Sequence, residues 1–297
     1  MQFNIDDSFE EQNKRIERLY VMLDEKFVGS QFNEGKDHMI KASVIFEDSE
    51  LVYKSKKKKD SMNRFRLVNS YTCASVENKL LSNTIDYIYN TYDTDFINEI
   101  IFMGDCATWI KNFPKSNWFR FNPKTSVKFA MDGFHFSLAL SNLTTTKYDD
   151  VYDALYEYVL LDKKEEFIRL CNEFLDLNSE RSEVIESKRD YILNNWNERQ
   201  LYQNSPHMKC SMESHISHIF ADIFTSHPKA YSIKGIKQLL KLRLLKINKK
   251  NIKEEYFKQF KSKENKCSCE KEIIKKDCKK RLRIFLINFN LILDNHY

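Results

Sequence analysis

The chain has 297 residues, enough for one large core with an insertion or for two domains, because a domain usually holds about 100 to 200 residues. Hydrophobic residues make up 42% and charged residues 31%, a balance that excludes wholesale disorder and indicates a globular protein. The formal net charge is +5, from 48 Lys and Arg against 43 Asp and Glu, so the surface is of mixed sign and not a uniform polycation.

Signals for export or membrane insertion are missing from the sequence. Met1 to Gln12 is polar and acidic, without the basic and then apolar segments of a signal peptide. No uninterrupted apolar run approaches the ~20 residues of a membrane span. Seven cysteines, an odd number, fit reduced thiols better than a disulfide framework. We therefore expect a cytoplasmic protein that does not associate with a membrane.

The first part of the chain predicts three strands in succession. Arg18–Val28 and His38–Phe46 are rich in apolar and β-prone residues and are separated by a polar turn that contains glycine. This pattern predicts a hairpin. Arg64–Cys73 predicts the third strand, and the lysine run Lys56–Lys59 falls in the loop before it.

A helix and two short buried strands are predicted next. Apolar residues from Ser75 to Tyr92 recur mostly at intervals of three to five residues, which is helical spacing. Glu99–Met103 is a short apolar run, typical of a strand in a sheet covered on both faces, and Ser126–Met131 predicts one more strand. The order of elements matches the RNase H-like fold, an α/β fold whose mixed sheet carries helices on both faces.

Strand signals vanish in the middle of the chain. Phe136–Tyr202 keeps apolar residues at helical spacing, which predicts an all-helical insertion of two to four helices. Ser205–Pro206 then opens a further helix, which Pro228 helps to end. The predicted organisation is the first part of a catalytic core in residues 1–135, the helical insertion in 136–203, the last core helix in 204–232 and a basic helical region in 233–297.

Three acids are placed where such a fold could hold metal. Asp24 ends the core part of the first strand, and Asp105 directly follows the fourth, so both carboxylates should converge on one side of the sheet. A carboxylate there is unfavourable unless it is paired, hydrogen-bonded or bound to metal. Glu213 lies three residues before Ile216 and seven before Phe220, beside the apolar face of its helix, and can face the sheet. Such hard oxygen ligands suit Mg²⁺ or Mn²⁺.

Four segments of the chain, taken in order and spacing, resemble a known family. They are Leu19–Val28 (LYVMLDEKFV), Gly104–Lys111 (GDCATWIK), Met131–Phe136 (MDGFHF), and Cys210–Ile219 (CSMESHISHI) with Ser226–Pro228. The set resembles the ISLre-type insertion-sequence transposases, which are related to Mutator-like DDE transposases. The resemblance implies that Asp24, Asp105 and Glu213 are the catalytic acids, and that they hold two Mg²⁺ or Mn²⁺ ions.

The resemblance also implies supporting residues. Asp132 and His135 match the C/D-x-x-H signature of this branch, in which the histidine supports the site or contacts DNA; a structural role is equally open. Trp109 could stack on a flipped base or pack in the core. His218 is interpreted as a residue that contacts DNA or supports the site.

The chain departs from the family in several places. The family usually has Gly where Cys106 stands, Arg where His227 stands and Gly-Trp where Ala230–Tyr231 stand. Family members also carry a sizeable N-terminal region before the first catalytic strand, whereas that strand is predicted here from Arg18. The resemblance therefore describes this chain as an N-terminally short copy.

Three functions are compatible with these observations. The first is a DDE-type transposase that cleaves element ends and joins the freed 3′-hydroxyl to target DNA, as a homo-oligomer on double-stranded DNA. The second is an inactive, truncated DNA-binding protein of a mobile or integrative element. The third is an RNase H-like nuclease. Lysine clusters such as Lys56–Lys59 and the stretch from Lys258 to Arg283 could meet phosphates, or they could be solvated faces.

Overall fold

The computed structural model describes most of the chain. It covers residues 14–31, 37–53, 64–145, 147–204, 220, 224, 230–255 and 257. Within these residues, no helix is both long and apolar enough to cross a membrane. The helix predicted from Ser205 and the lysine clusters at Lys56–Lys59 and from Lys258 to Arg283 lie outside the described residues, and they stay predictions.

A five-stranded mixed sheet forms the centre of the fold. The strands of the chain are β1 (Arg18–Val28), β2 (His38–Phe46), β3 (Asp48–Tyr53), β4 (Arg64–Val68), β5 (Tyr71–Ser75), β6 (Glu99–Gly104) and β7 (Ser126–Met131). The central sheet has the order β5-β2-β1-β6-β7. β1 and β2 pair antiparallel, as do β2 and β5, whereas β1, β6 and β7 run parallel. This confirms the predicted α/β class, and the arrangement is RNase H-like.

The third predicted strand is in fact two strands. The chain turns at Asn69, whose φ of 50° lies in the left-handed region that asparagine tolerates better than most residues. β4 therefore leaves the central sheet and pairs with β3 in a separate two-stranded ribbon, while β5 returns to β2. The prediction of one strand over Arg64–Cys73 was wrong because the β-prone residues on both sides outweighed the turn signal of Asn69 and Ser70.

Helices cover the sheet and form a block of their own. They are α1 (Leu80–Thr91), α2 (Thr108–Asn112), α3 (Gly133–Thr144), α4 (Asp149–Leu160), α5 (Lys164–Leu177), α6 (Ser182–Asn194), α7 (Trp196–Gln203) and α8 (Ile233–Ile247). α1 begins later than its apolar spacing suggests, since the residues up to Ser75 belong to β5. α8 lies in the region predicted to be basic and helical.

The central strand β1 is buried on both faces. Its alternating side chains Leu19, Val21 and Leu23 join one apolar cluster with residues of α1, such as Ile88. Tyr20 and Met22 point the other way, into a second cluster that includes Ile236 and Leu240 of α8. Alternation of side chains across a strand explains why a continuous apolar run forms a central strand here.

The predicted helical insertion is confirmed. Between residues 136 and 202, the described residues form helices and their connecting turns, with no strand among them. Their side chains build a third apolar cluster that includes Phe136, Leu140, Phe167, Ile192 and Trp196. The block contains α3 to α7, one helix more than the upper predicted number, because the chain bends at Asn195 and divides α6 from α7.

Candidate active site

The register of the three parallel strands brings three acids to one edge of the sheet. Met103 of β6 pairs with Met22 of β1 on one side and with Ala130 of β7 on the other. Two residues further along each chain stand Asp24, Asp105 and Asp132. Neighbouring strands lie ~4.8 Å apart, so this register places the backbones of the three acids side by side. We call these three residues the acid edge.

Asp24 is held by the sheet itself. It lies within β1, opposite Ala42 of β2, and only 6% of its surface is exposed. Its Oδ1 accepts a hydrogen bond from the backbone N–H of Glu25 at 2.7 Å. The backbone of Asp24 is thus fixed by its pairing with β2.

Asp105 lies in a loop that the helical insertion holds. Its Oδ1 accepts the N–H of Ala107 at 2.8 Å, which shapes the turn into α2. The hydroxyl of Tyr191 on α6 donates to the backbone carbonyl of Asp105. Lys111 on α2 donates to Oδ1 of Asn195, between α6 and α7, at 2.8 Å. The position of Asp105 therefore depends on helices that follow it by more than 80 residues, as the separations of 86 and 84 in these two contacts show.

Cys106 follows Asp105 in a conformation that favours glycine. Its φ is 67°, in the left-handed region, where a Cβ is crowded by the backbone. Burial raises the pKa of its thiol to about 12, so the thiol is neutral and a poor nucleophile at neutral pH. A glycine, which has no Cβ, would adopt this conformation without strain.

Asp132 and His135 form a buried pair at the start of α3. Asp132 is 1% exposed and caps the helix: Oδ1 accepts the N–H of His135 at 3.0 Å, and Oδ2 lies 2.7 Å from its Nδ1. Burial lowers the pKa of His135, but the hydrogen bond to Asp132 and the charges of Asp132, Asp105 and Asp24 outweigh it and raise the pKa to about 9. The spacing D-x-x-H is thus a helix cap that positions a cationic imidazole beside the acid edge.

Glu25 is a further acid at this site, which the sequence reasoning missed. The indole Nε1 of Trp109 donates to its Oε2, and the Nζ of Lys41 lies 4.8 Å from the centre of the Trp109 ring. Burial and the charge of Asp105 raise the pKa of Glu25, while Lys41 lowers it. The available signal was its place next to Asp24, at the point where the apolar run of β1 ends.

The surroundings of Trp109 are compatible with both roles proposed for it, base stacking and core packing. Its ring is half-buried and packs edge-on against Phe113, with centroids 6.4 Å apart. The ring also lines a cavity, so it is more than a core residue. Base stacking stays a prediction.

Arg199 of α7 was also missed. The residue is 4% exposed, and its guanidinium lies 4.3 Å and 5.1 Å from the centres of the rings of Phe136 and Tyr202. Its Nε and Nη1 have no hydrogen-bond partner in the described part of the chain. Burial lowers its pKa, and the charge of Asp132 opposes this. The positive charge of Arg199 thus acts on the carboxylate of Asp132, one of the three residues of the acid edge.

Two predicted site residues, Glu213 and His218, lie outside the described residues, and their roles stay predictions. Among the described residues there is no group of three or more His, Cys, Asp or Glu side chains that could hold a metal ion. The donor set nevertheless fits a divalent metal in part. Asp24 and Asp105 supply two hard oxygen ligands, while Asp132 is engaged with His135.

The chain is similar to several proteins of one bacterium. Three UPF0236 proteins of Caldanaerobacter subterraneus subsp. tengcongensis are each 28% identical to the chain over 249 residues. The aligned part covers 82% of this chain and 49%, 47% and 47% of theirs, so the chain spans about half the length of the curated relatives it matches. The name of a further relative from the same organism joins eleven locus designations. Residues 4–260 match the family described as "Uncharacterised protein family (UPF0236)", and the chain belongs to this family.

Proposed function

We propose that the chain contributes the catalytic domain of a DDE-type DNA transposase of the ISLre type. The observation that carries this proposal is the register of the parallel strands β1 and β6 in an RNase H-like sheet, in which Asp24 and Asp105 each follow by two residues the paired Met22 and Met103. Two carboxylates at this edge are suited to metal-dependent phosphodiester chemistry. In this proposal Glu213, in the helix predicted after the insertion, supplies the third carboxylate.

The chemistry divides between metal and protein. Two bound Mg²⁺ ions would activate the attacking water or 3′-hydroxyl and stabilise the leaving oxygen. Asp24 would hold these ions from the sheet, and Asp105 would hold them from the loop that Tyr191 contacts. His135, whose pKa is about 9, carries a positive charge near neutral pH and can attract a phosphate to the acid edge.

The relatives give independent support for a mobile element. A name that joins eleven locus designations in one organism describes one sequence encoded at many places. Repeated copies of a gene within a genome are what transposition produces. In the proposal, double-stranded DNA is the substrate, and the active form is a homo-oligomer assembled on it.

The test is cleavage of DNA that carries the sequences flanking the gene, in Mg²⁺ or Mn²⁺. We expect the wild-type chain to cut, and Asp24→Asn and Asp105→Asn each to reduce the rate by roughly 100-fold or more. Asp86→Asn is the matched control, since Asp86 is exposed on α1 away from the acid edge. Equal cutting by all four proteins would contradict the catalytic assignment.

Metal affinity provides a second readout. Titration with Mn²⁺, followed by its electron paramagnetic resonance signal, should give weaker binding for the Asp24 and Asp105 variants than for the Asp86 variant. Wild-type protein that binds DNA but neither binds Mn²⁺ nor cuts would overturn the transposase proposal in favour of an inactive DNA-binding protein.

A further inference from the structure

A cavity of about 620 Å³ lies beside the acid edge, between β2, α1 and α2. Its wall includes Lys41, Asn78, Leu81, Trp109, Phe113 and Lys115. Sites for small organic groups in proteins usually occupy about 300 to 1,000 Å³. The Trp109 cavity, as we call it, is therefore large enough for a single nucleotide unit.

The aromatic wall of the cavity is already in place. Trp109 and Phe113 meet at an interplanar angle of 82°, and Phe113 packs in turn against Phe102 and Phe119 in the core. The hydrogen bond from Trp109 to Glu25 fixes the orientation of the indole. The flat aromatic face of a base could pack on such a wall without first reorganising it.

The charge of the cavity suits the backbone of a nucleic acid. Lys41 and Lys115 both line it, while the carboxylate of Glu77 is paired with Lys237 of α8. Asn78 and Asn112 add amides that can donate to or accept from a base edge. The lining thus combines an apolar wall, cationic groups and amides, which is how proteins bind unpaired nucleotides.

The cavity is connected to the acid edge through one side chain. Trp109 lines the cavity and donates a hydrogen bond to Glu25. Glu25 follows Asp24 directly, and the charge of Asp105 raises its pKa. We propose that the Trp109 cavity binds an unpaired base of the DNA strand, next to the phosphate held at the acid edge. This inference rests on the proposed function and adds to it the form of DNA that the site prefers.

The experiment compares two fluorescein-labelled DNAs, a blunt duplex and the same duplex with a single-stranded overhang, by anisotropy with the full chain and no metal. We expect the wild type to bind the overhang DNA about fivefold or more tightly, as expected for one stacked base. Asn78→Trp, which fills the exposed mouth of the cavity, and Lys115→Glu should each remove this preference. Lys124→Glu, an exposed lysine just before β7 at the opposite end of the sheet, should keep it.

The possible outcomes distinguish a failure of the cavity proposal from a failure of the proposed function. Equal binding of both DNAs by the wild type, or an unchanged preference in the Asn78 and Lys115 variants, would overturn the cavity proposal whether or not the protein cuts DNA. A preference that these two variants abolish, in a protein that cuts nothing in Mn²⁺, would support the cavity and count against the transposase. Circular dichroism melts of the variants exclude unfolding as the cause.

Discussion

The two metal-binding acids proposed in the described residues are held in opposite ways. Asp24 lies inside β1 and is fixed by its pairing with β2, whereas Asp105 lies in a loop whose shape depends on α6 and α7. The sheet alone thus determines one position, and the helical insertion determines the other. The helical insertion can therefore help to position Asp105 although it follows Asp105 in the chain. The following predictions test this difference.

The largest effect on stability is expected at Gly104, which lies against both β1 and α2. A Cβ there would lie 2.8 Å from the carbonyl oxygen of Leu23 and 2.7 Å from Cγ2 of Ile110. Gly104→Ala should therefore lower the free energy of unfolding by about 1 to 3 kcal/mol and weaken Mn²⁺ binding, because it pushes β1 and α2 apart. Chemical denaturation measures the first effect.

Gly235→Ala is the control for this substitution. A Cβ at Gly235 of α8 would meet only Oγ of Ser232, at 3.3 Å. Alanine is favoured over glycine in a helix by roughly 0.5 to 1 kcal/mol, so this variant should be as stable as the wild type or more stable. A Gly104→Ala protein as stable as the control would contradict the close packing.

The next effect concerns His135 and its dependence on pH. Its pKa in the folded protein, about 9, lies above the ordinary 6.5, so folding is favoured by its protonation. This contribution is fully present below about pH 6.5 and is lost as the pH rises through 9. After solvent screening is allowed for, we expect it to be on the order of 1 to 2 kcal/mol.

Comparison of the wild type with His135→Gln by urea denaturation at pH 6 and pH 9.5 measures this contribution. The stability difference between the two proteins should shrink at the higher pH. Saturating Mg²⁺ should lower the pKa of His135, because bound cations offset the charges of Asp24 and Asp105. A pH-independent difference would mean that folding does not change the pKa of His135.

Tyr191→Phe removes one tie between the insertion and the loop of Asp105. The lost hydrogen bond to the carbonyl of Asp105 should reduce stability by about 0.5 to 1.5 kcal/mol. Amide hydrogen exchange should accelerate in residues 105–108 but not within β1 around Asp24. Tyr89→Phe, at an exposed tyrosine of α1, serves as the control. Equal acceleration around both acids would remove the distinction between them.

The smallest effect is expected at Cys106. Cys106→Gly relieves a left-handed conformation that disfavours a side chain by about 1 to 2 kcal/mol, but it also loses packing and makes the unfolded chain more flexible. We expect a net gain in stability of less than about 1 kcal/mol. Cys106→Ala keeps the unfavourable φ and should show no gain, which separates backbone strain from loss of the thiol.

The sequence predicted the strand that contains Asp24 and the strand that precedes Asp105, for a physical reason. The apolar runs of β1 and β6 are continuous because both strands are buried on two faces, and each run ends near an acid. The parallel register of β1 and β6 then places the backbones of Asp24 and Asp105 at the same edge of the sheet. Asp132 and His135 were indicated by the resemblance, and their spacing alone did not predict that the pair caps a helix.

Contacts between distant residues account for what the sequence did not predict. Trp109 and Glu25 are separated by 84 positions, and nothing local in either segment indicates that they meet. Arg199 looks like any charged residue of an amphipathic helix until α7 is packed on β7. The turn at Asn69 was missed because the residues around it favour strands. The position of Glu213 relative to the acid edge stays a prediction.

We expect the ribbon of β3 and β4 to tolerate insertions and replacements. The segment leaves the sheet after β2 and returns at β5, and its two ends are joined by a hydrogen bond of 3.1 Å from the N–H of Glu47 to the carbonyl of Val68. It begins at the end of β2 that lies opposite Tyr20, away from Asp24. Segments with closed ends can lengthen or be exchanged at little entropic cost. A peptide tag or a foreign hairpin grafted between Tyr53 and Arg64 should therefore leave the acid edge undisturbed, which makes this the natural attachment point for a probe.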